Sequence, residues 1–265
     1  MNSTIVSYNI QIPAAKEELH PWAGRKHEVL ECLPLLGDLI GLQEVDYNTS
    51  QGREVSERLA EAGFSSFQPG YGDSEYTDEY HTRIPVFWKK EHFKLIRQEV
   101  RMLTTGTVEQ QKMLPNIEAR YTTYVQLECK GRPLHFFNLH QQHVPMELSD
   151  QKLITGYQAV QSAGLQSLHD FIRELNPNGD RTFVVGDFNA TDPHVNGYQD
   201  AYRVAQHTEH SEYNSYHGYQ PSGGSEGGYI IDHVLTNLTQ ANVLNAETLI
   251  QERGSDHYPI RVTVT

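Results

Sequence analysis

The sequence predicts an α/β protein, with β-sheets at its centre and helices outside them. Two observations carry this prediction. Short apolar segments typical of strands recur from one end of the chain to the other, and several alternate apolar with polar residues, as a strand with one buried face does. Helical stretches lie between these segments, and no repeat or linker divides the chain, so residues 1–265 are predicted to form a single domain.

The predicted strands are spread along the whole chain. They are Thr4–Ile10, Leu39–Val45, Ile84–Trp88, Tyr121–Cys129, Leu134–Leu139, Thr182–Gly186, Tyr229–Leu235 and Ile260–Val264. The spacing of apolar residues predicts helices over Arg25–Leu36, Glu54–Ala62 and Asp150–Leu175. The polar stretch 190–228 is rich in Gly, Tyr and His and is predicted to form long functional loops.

Charge and composition exclude several classes of protein. The chain has 21 Lys and Arg against 34 Asp and Glu, a formal net charge of −13, which argues against a non-specific duplex nuclease because such an enzyme gains most of its affinity from phosphate contacts. No apolar run approaches the ~18 residues that span a membrane. The start of the chain lacks the basic and apolar regions of a secretory signal, and Cys32 and Cys129 share no motif. We therefore expect a reduced, cytoplasmic protein.

Polar side chains stand at the ends of the apolar strands, where folding does not require them. Asn9 lies within one apolar strand, and Glu44 follows an almost wholly apolar run. Burying a carboxylate costs free energy unless something pairs with it, and a hard cation such as Mg²⁺ would do so. A turn or edge Asn and a solvent-facing edge Glu are the alternative interpretations, and from each residue alone both stay open.

His140 ends a strand of bulky apolar residues, and Asn138 lies two residues earlier on the same face. A lone histidine in this position is more often a satisfied core or edge residue than a functional one. His140 and His143 also have the spacing of a zinc pair, but the sequence supplies no third ligand at helical spacing.

A more specific motif follows the strand at 182–186. Asp187 and Asn189 are two residues apart, so both face the same way just beyond a buried strand. Gly186 would let another backbone or a substrate approach closely.

Two further motifs lie near the end of the chain. Asp232 stands in the middle of an apolar run, and the adjacent Asp256 and His257 precede a proline and the last strand. Gly254-Ser255-Asp256 also has the composition of a turn. A carboxylate elsewhere that orients His257 would make this histidine a general base.

This set of carboxylates, amides and histidines is suited to metal-assisted attack of water on a phosphoester. The cation needs oxygen ligands, the water needs a base, and the phosphate needs hydrogen-bond donors. The sequence offers no environment for a nucleophilic cysteine. It also contains no Walker loop and no GxGxxG motif, so nucleotide-cofactor chemistry has no support.

The motifs YNI, LQEV, NxH, GDFN, IDH and SDHYP occur in this order over nearly the whole chain. In this order they resemble the endonuclease/exonuclease/phosphatase superfamily, which has the deoxyribonuclease I-like fold. The resemblance implies a four-layer αββα sandwich, in which two mixed β-sheets pack face to face with helices outside. It also implies phosphoester hydrolysis that depends on a divalent metal, Mg²⁺ or Mn²⁺.

The resemblance also implies a role for each motif residue. The metal ligands would be Glu44, Asn9 and Asp256. The histidine that activates water would be His257, oriented by Asp232. The second catalytic histidine would be His140, and Asp187 and Asn189 would position the nucleophile and bind phosphate. Arg120, before the strand at 121–129, and Asn138 are assigned to substrate binding.

The chain departs from the family pattern at three places. Thr82 stands where many members have a glutamate that supports the first catalytic histidine, with Glu79 as a substitute candidate and His81 nearby. The helix after NxH often begins with an R-x-x-Q pattern in the family, and this chain has Thr155 and Gln158 there, so the basic contact is missing. His233 replaces the usual tyrosine after IDH's aspartate.

The substrate is the least determined property. The net charge favours a small phosphorylated molecule over nucleic acid, with a nuclease using the same site as the alternative. The Tyr- and His-rich loops at 190–228 could stack a base or a ring, or bind a small phosphorylated molecule. A catalytically inactive binding module on the same fold is the alternative of another class. The retention of suitable chemistry at every central motif position favours an enzyme.

Overall fold

A computed structural model describes residues 2–13, 19–69, 83–115, 117–145, 148–220 and 229–265. The helices are α1 (Trp22–Leu36), α2 (Ser50–Glu61), α3 (Val108–Met113), α4 (Gln151–Leu175) and α5 (Ala201–Val204). The strands are β1 (Ser3–Asn9), β2 (Leu39–Gln43), β3 (Phe64–Phe67), β4 (Val86–Lys89), β5 (Lys94–Thr104), β6 (Arg120–Cys129), β7 (Arg132–His140), β8 (Arg181–Asp187), β9 (Gln199–Asp200), β10 (His207–Glu209), β11 (Asp232–Thr236), β12 (Val243–Thr248) and β13 (Ile260–Val264).

These strands form two mixed sheets. One has the order β10-β12-β13-β1-β2-β4-β3 and the other β5-β6-β7-β8-β11-β9. Each sheet contains a central parallel pair flanked by an antiparallel strand: β1 lies between β2 and β13, and β8 lies between β7 and β11. The carboxyl ends of both parallel pairs and the amino ends of β11 and β13 therefore reach the same edge of the molecule.

Alternation along the strands separates the layers. Ile5 and Val185 belong to the apolar core between the two sheets. Val6, the next residue of β1, packs instead with Val29 and Leu33 of α1. On the outer face of the other sheet, α4 buries Phe171 with its apolar neighbours. The layers are thus helix, sheet, sheet and helix, and the predicted four-layer sandwich is confirmed.

The predicted helices all exist, with shifted ends. α1 begins three residues before the predicted Arg25 and continues through Pro34, which lies in its last turn. α2 begins at Ser50 rather than at the predicted Glu54, because Thr49 caps it by accepting a hydrogen bond from the Gln51 amide. Asp150 is the N-cap of α4 rather than its first residue.

Several elements escaped the sequence analysis. β5 is an edge strand with mostly exposed residues, so it lacks the alternation that marks a half-buried strand. α3 buries no residue and is stabilised by a capping box between Thr107 and Gln110. The predicted strand Tyr229–Leu235 begins only at Asp232. The described part of the predicted loops 190–228, residues 190–220, also contains the short elements β9, α5 and β10.

No helix within the described segments combines the length and apolar character that crossing a bilayer requires. Cys32 and Cys129 are both buried and unpaired.

Candidate active site

A cleft of about 1010 Å³ opens at the edge where the parallel strand pairs end. Most of the site residues predicted from the sequence line it: Glu44, Arg120, His140, Asp187, Asn189, Asp256 and His257. Asn9 and Asp232 lie directly behind this lining, in hydrogen-bond contact with it.

His257 and Asp232 form the innermost pair of the cleft. Oδ2 of Asp232 lies 2.7 Å from Nδ1 of His257, and both residues are buried. Burial opposes the charged form of His257, but the charge and hydrogen bond of Asp232, with the charges of Asp256 and Asp187, outweigh it and raise the pKa of this histidine well above its usual value. The backbone of Asp232 is held by the Ser215 hydroxyl, which accepts a hydrogen bond from the Asp232 amide at 2.9 Å.

His140 occupies the opposite electrostatic environment. Its Nε2 lies 3.6 Å from Oδ2 of Asp187, at the paired ends of β7 and β8. Burial, the positive charge of Arg120 and the neighbouring His257 lower its pKa well below the usual value. The cleft thus contains two histidines whose pKa values are shifted in opposite directions, an arrangement typical of a site that divides base and donor roles between them.

Carboxylates gather on the side of the cleft formed by β1 and β2. Asn9 Nδ2 donates hydrogen bonds to Glu44 Oε1 at 3.3 Å and to Asp187 Oδ2 at 3.1 Å. The Ile12 amide donates to Glu44 Oε2 at 2.7 Å. Among the described residues, neither Glu44 nor Asp256 has a basic side chain within ion-pair distance. Two carboxylates that face one cleft without a cationic partner fit a hard divalent cation.

A second group of side chains could also hold a cation. Ligand atoms of Asp187, Asp232 and His257 lie within 4.8 Å of one another, and all three residues are buried. In this group Nδ1 of His257 is already engaged by Asp232, so only Nε2 remains as a ligand atom of the ring.

Asn189 is held in place by its backbone and its side chain. Its amide donates to Asp187 Oδ1 at 2.9 Å, and its Nδ2 donates to the Gln141 carbonyl at 3.0 Å. Its Oδ1 lies 3.2 Å from Nδ1 of His143. His143 is therefore a neighbour of the phosphate-binding candidate Asn189.

Strained backbone concentrates around the cleft. Gln11, Glu44, Arg83 and Asn189 have φ values of 56°, 62°, 51° and 49°, in the left-handed region that side chains rarely adopt. Such conformations persist where the surrounding structure holds them, and they cluster at functional sites.

Asn138, assigned to substrate binding from the sequence, is not among the residues that line the cleft. It is fully buried, and its Nδ2 donates to the carbonyls of Leu42 and Pro85 at 2.7 and 2.9 Å. Its Oδ1 accepts a hydrogen bond from Gln43 Nε2 at 2.7 Å. The amide therefore joins the two sheets, because β7 belongs to one sheet and Leu42 and Gln43, in β2, belong to the other.

Gln11 is a site residue that the sequence analysis missed. Its Nε2 donates to Asp256 Oδ2 at 3.1 Å, and its Oε1 accepts a hydrogen bond from the Tyr219 hydroxyl at 2.5 Å. Its backbone carbonyl accepts from Arg25 Nη2 and Gln51 Nε2 at 2.7 and 2.8 Å. The only signal in the sequence was its position directly after the YNI motif.

The family departures have different outcomes. Glu79, His81 and Thr82 lie outside the described residues. Gln158 lines the cleft, whereas the Thr155 hydroxyl donates to the Gln151 carbonyl within α4. His233 is buried, with Nδ1 at 2.6 Å from Asp200 Oδ2 and Nε2 at 2.9 Å from the Ala190 carbonyl, so it supports the cleft wall from behind.

Comparisons with known proteins agree with this geometry. Residues 6–257 match the family model described as the endonuclease/exonuclease/phosphatase family. No curated protein matches the sequence significantly.

Several solved structures share the fold. A family protein from Bacteroides thetaiotaomicron has 17% identity and a TM-score of 0.77, covering 100% of this chain and 98% of its own. A mannosyl-6-phosphatase from the same organism has 17% identity and a TM-score of 0.74, covering 99% of both chains. TDP2 from C. elegans has 14% identity and a TM-score of 0.70, covering 100% of this chain and 75% of its own.

At these identities the solved structures establish the fold, and the family follows from the match that extends over nearly the whole chain. The chain belongs to the endonuclease/exonuclease/phosphatase family, and like the members of that family it is a phosphoester hydrolase.

Proposed function

We propose that the chain is a divalent-metal-dependent phosphoesterase that hydrolyses a small phosphorylated molecule. The observation that carries the proposal is the meeting, in one cleft, of the buried His257 and Asp232 pair with carboxylates that have no cationic partner among the described residues. A base and a cation site within one cleft are what hydrolysis of a phosphoester by water requires.

Glu44, Asn9 and Asp256 would hold the ion, which we propose to be Mg²⁺ or Mn²⁺. A bound divalent ion supplies positive charge next to a phosphoryl oxygen. The hydrogen bonds from Asn9 and the Ile12 amide orient Glu44, and Gln11 orients Asp256. These contacts fix the oxygen atoms before any ligand arrives, which reduces the cost of ordering them on binding.

His257 would act as the general base. Because Nδ1 faces Asp232, the free Nε2 is the ring nitrogen available to take a proton from water. Asp232 keeps the ring in this orientation and stabilises the charge that develops on it.

His140, Asn189 and Arg120 would bind the phosphate. His140 is held in its neutral form by burial, so it can donate one hydrogen bond without adding charge. Asp187 joins the two halves of the site, since its Oδ2 accepts from Asn9 and lies within 4 Å of both histidines. Arg120 lines the same wall, and its guanidinium can bind two phosphate oxygens.

A small substrate is favoured over nucleic acid by charge. The net charge of −13 repels every phosphate of a polyanion. A metabolite with a single phosphate is therefore repelled less. One of the structures with the same fold is a mannosyl-6-phosphatase, which supports a small-molecule substrate.

The test is a side-by-side screen of phosphorylated metabolites and oligonucleotides with Mg²⁺ or Mn²⁺. We expect turnover of one or more metabolites, and loss of that turnover in Glu44→Ala. Asp192→Asn is the matched control, because Asp192 lines the same cleft but is exposed and paired with Arg203. Faster turnover of oligonucleotides than of every metabolite would support the nuclease alternative instead.

A further inference from the structure

Arg83 places a guanidinium group in the cleft that no motif indicated. The residue precedes β4 and has a φ of 51°. Its carbonyl accepts a hydrogen bond from the Val45 amide at 3.1 Å, directly after Glu44. Its Nε is buried, and within the described ranges this atom has no hydrogen-bond partner and the side chain no ion pair. A strained backbone thus holds an unsatisfied cation against the cleft.

Arg120 lines the same cleft and also has a guanidinium nitrogen without a hydrogen-bond partner among the described residues. Its Nε is also buried without a hydrogen-bond partner in the part of the chain that the structure describes. Its Nη2 lies 3.4 Å from Glu118 Oε2, but the Glu118 side chain is 62% exposed, whereas that of Arg120 is 13% exposed. Glu118 is thus a solvated partner that a better-placed anion can replace.

The charges of Arg83 and Arg120 affect each other and His140. Burial lowers the pKa of Arg120, and the positive charge of Arg83 lowers it further against the opposing charges of Glu118, Asp187 and Glu44. The pKa of His140 is lowered by burial and by both arginines. Two guanidinium groups that repel each other, each with a buried Nε that lacks a hydrogen-bond partner among the described residues, raise the free energy of the empty cleft. An anion bound by both groups would lower it.

We propose that Arg83 and Arg120 together bind the non-bridging oxygens of a terminal phosphate, so that the enzyme selects phosphomonoesters over phosphodiesters. The inference rests on the proposed phosphoesterase function and deepens it. A phosphomonoester carries between about −1.5 and −2 charges at neutral pH, and a diester carries only one. The diester also replaces one oxygen with an ester group, which cannot accept hydrogen bonds from a guanidinium as a charged oxygen does.

The experiment compares p-nitrophenyl phosphate with bis-p-nitrophenyl phosphate in the presence of Mg²⁺. We expect the wild type to have the higher kcat/KM for the monoester. Arg83→Met should lower the ratio of monoester to diester kcat/KM by about tenfold or more, the loss of one charge-assisted hydrogen bond. Arg83→Lys should recover part of the ratio, because it restores the charge without the planar fork. Arg173→Met, an exposed change on α4, should leave the ratio unchanged.

Calorimetry supplies a readout that does not depend on turnover. Inorganic phosphate should bind Arg83→Met about tenfold more weakly than it binds the wild type. The affinity for dimethyl phosphate should fall by a smaller factor. Thermal unfolding of each variant shows whether it remains folded.

Several results would overturn the assignment. One is an equal fall in kcat/KM for both esters in Arg83→Met, and another is a wild type with the higher kcat/KM for the diester. A third is an affinity of Arg83→Met for inorganic phosphate equal to that of the wild type. If the wild type hydrolyses neither ester and no metabolite of the screen with Mg²⁺ or Mn²⁺, the proposed function fails. The calorimetric comparison still decides whether the two arginines bind phosphate.

Discussion

Oδ2 of Asp232, the first residue of β11, lies 2.7 Å from Nδ1 of His257, which precedes β13. The two strands belong to different sheets, so the contact forms only when the sandwich is assembled. Because Asp232 accepts a hydrogen bond from Nδ1–H, the neutral ring carries its free lone pair on Nε2. Assembly of the fold therefore also sets which nitrogen can act as the base.

Replacing Asp232 by Asn should shift the pH dependence of kcat/KM. The active form of His257 is neutral, so activity falls as the pH drops through the pKa of this residue. The Asp232 charge raises that pKa, and removing it should move the acidic limb to lower pH. The plateau should fall by about a hundredfold or more, because the amide does not stabilise the charged ring.

Asp200→Asn is the matched control for this experiment. It removes the carboxylate that faces the buried His233 at 2.6 Å, in a partly buried pair that lies behind the cleft wall. We expect the acidic limb to keep its position in this variant. An unshifted limb in Asp232→Asn would contradict the assignment of His257 as the base.

Removing either cleft histidine should nearly abolish turnover. His257→Ala removes the proposed base and His140→Ala a donor to phosphate, so each should lower kcat by roughly 10²- to 10⁴-fold. His27→Ala, an exposed change on α1, serves as the control. Hydrolysis near the wild-type rate by both cleft variants with metal present would refute the roles, provided that thermal unfolding shows them folded.

Sequence reasoning was effective for residues at strand ends. Glu44, His140 and Asp187 end or follow apolar strands, and the parallel pairing of β1 with β2 and of β7 with β8 brings them to one edge. Neighbouring strands that end together bring their last side chains together, so a motif at a strand end carries spatial information.

The same reasoning could not find residues that irregular backbone brings into the site. Gln11 and Arg83 lie outside the strands and have positive φ values. No periodic pattern in the sequence marks either residue. Asn138 shows the opposite limit. The alternation along the strand predicts which face of the sheet Asn138 lies on. Only the packing of the second sheet shows that its side chain is hydrogen-bonded to Leu42 and Gln43.

Gly186→Ala should destabilise the protein strongly. Gly186 has a φ of 153°, and a Cβ there would lie 2.1 Å from the carbonyl oxygen of Leu139 on the neighbouring strand. Backbone strain and overpacking together should lower the free energy of unfolding by about 3 kcal/mol, measured by urea denaturation.

The control for this substitution is Gly24→Ala in α1. The nearest atom to its Cβ would be 3.8 Å away, so alanine should fit and stabilise the helix by about 0.5–1 kcal/mol. A Gly186→Ala protein as stable as the wild type would show that β7 and β8 can separate to admit a methyl group.

His135 should make the stability of the fold depend on pH, away from the cleft. It is buried in β7 with Nδ1 at 2.9 Å from the Tyr124 hydroxyl, and Asp180 is 4.0 Å from its Nε2. Burial lowers its pKa, with the Asp180 charge opposing. Below the unfolded value of about 6.5, the unfolded chain binds a proton that the folded chain does not. The free energy of unfolding should therefore fall as the pH drops from about 7 to about 5, by at most about 1.4 kcal/mol per pH unit from this group.

The variant His135→Gln isolates this contribution, because glutamine keeps hydrogen-bonding capacity toward Tyr124 but does not titrate. Urea denaturation at several pH values should show a smaller fall for His135→Gln than for the wild type, whereas the exposed His27→Gln should follow the wild type. Parallel curves for the wild type and His135→Gln would mean that the folded protein protonates His135 as readily as the unfolded chain. In that case the strand pair around Tyr124 would have to open to water at acid pH, because the buried ring has no described acceptor for a second proton at Nε2 within hydrogen-bond distance.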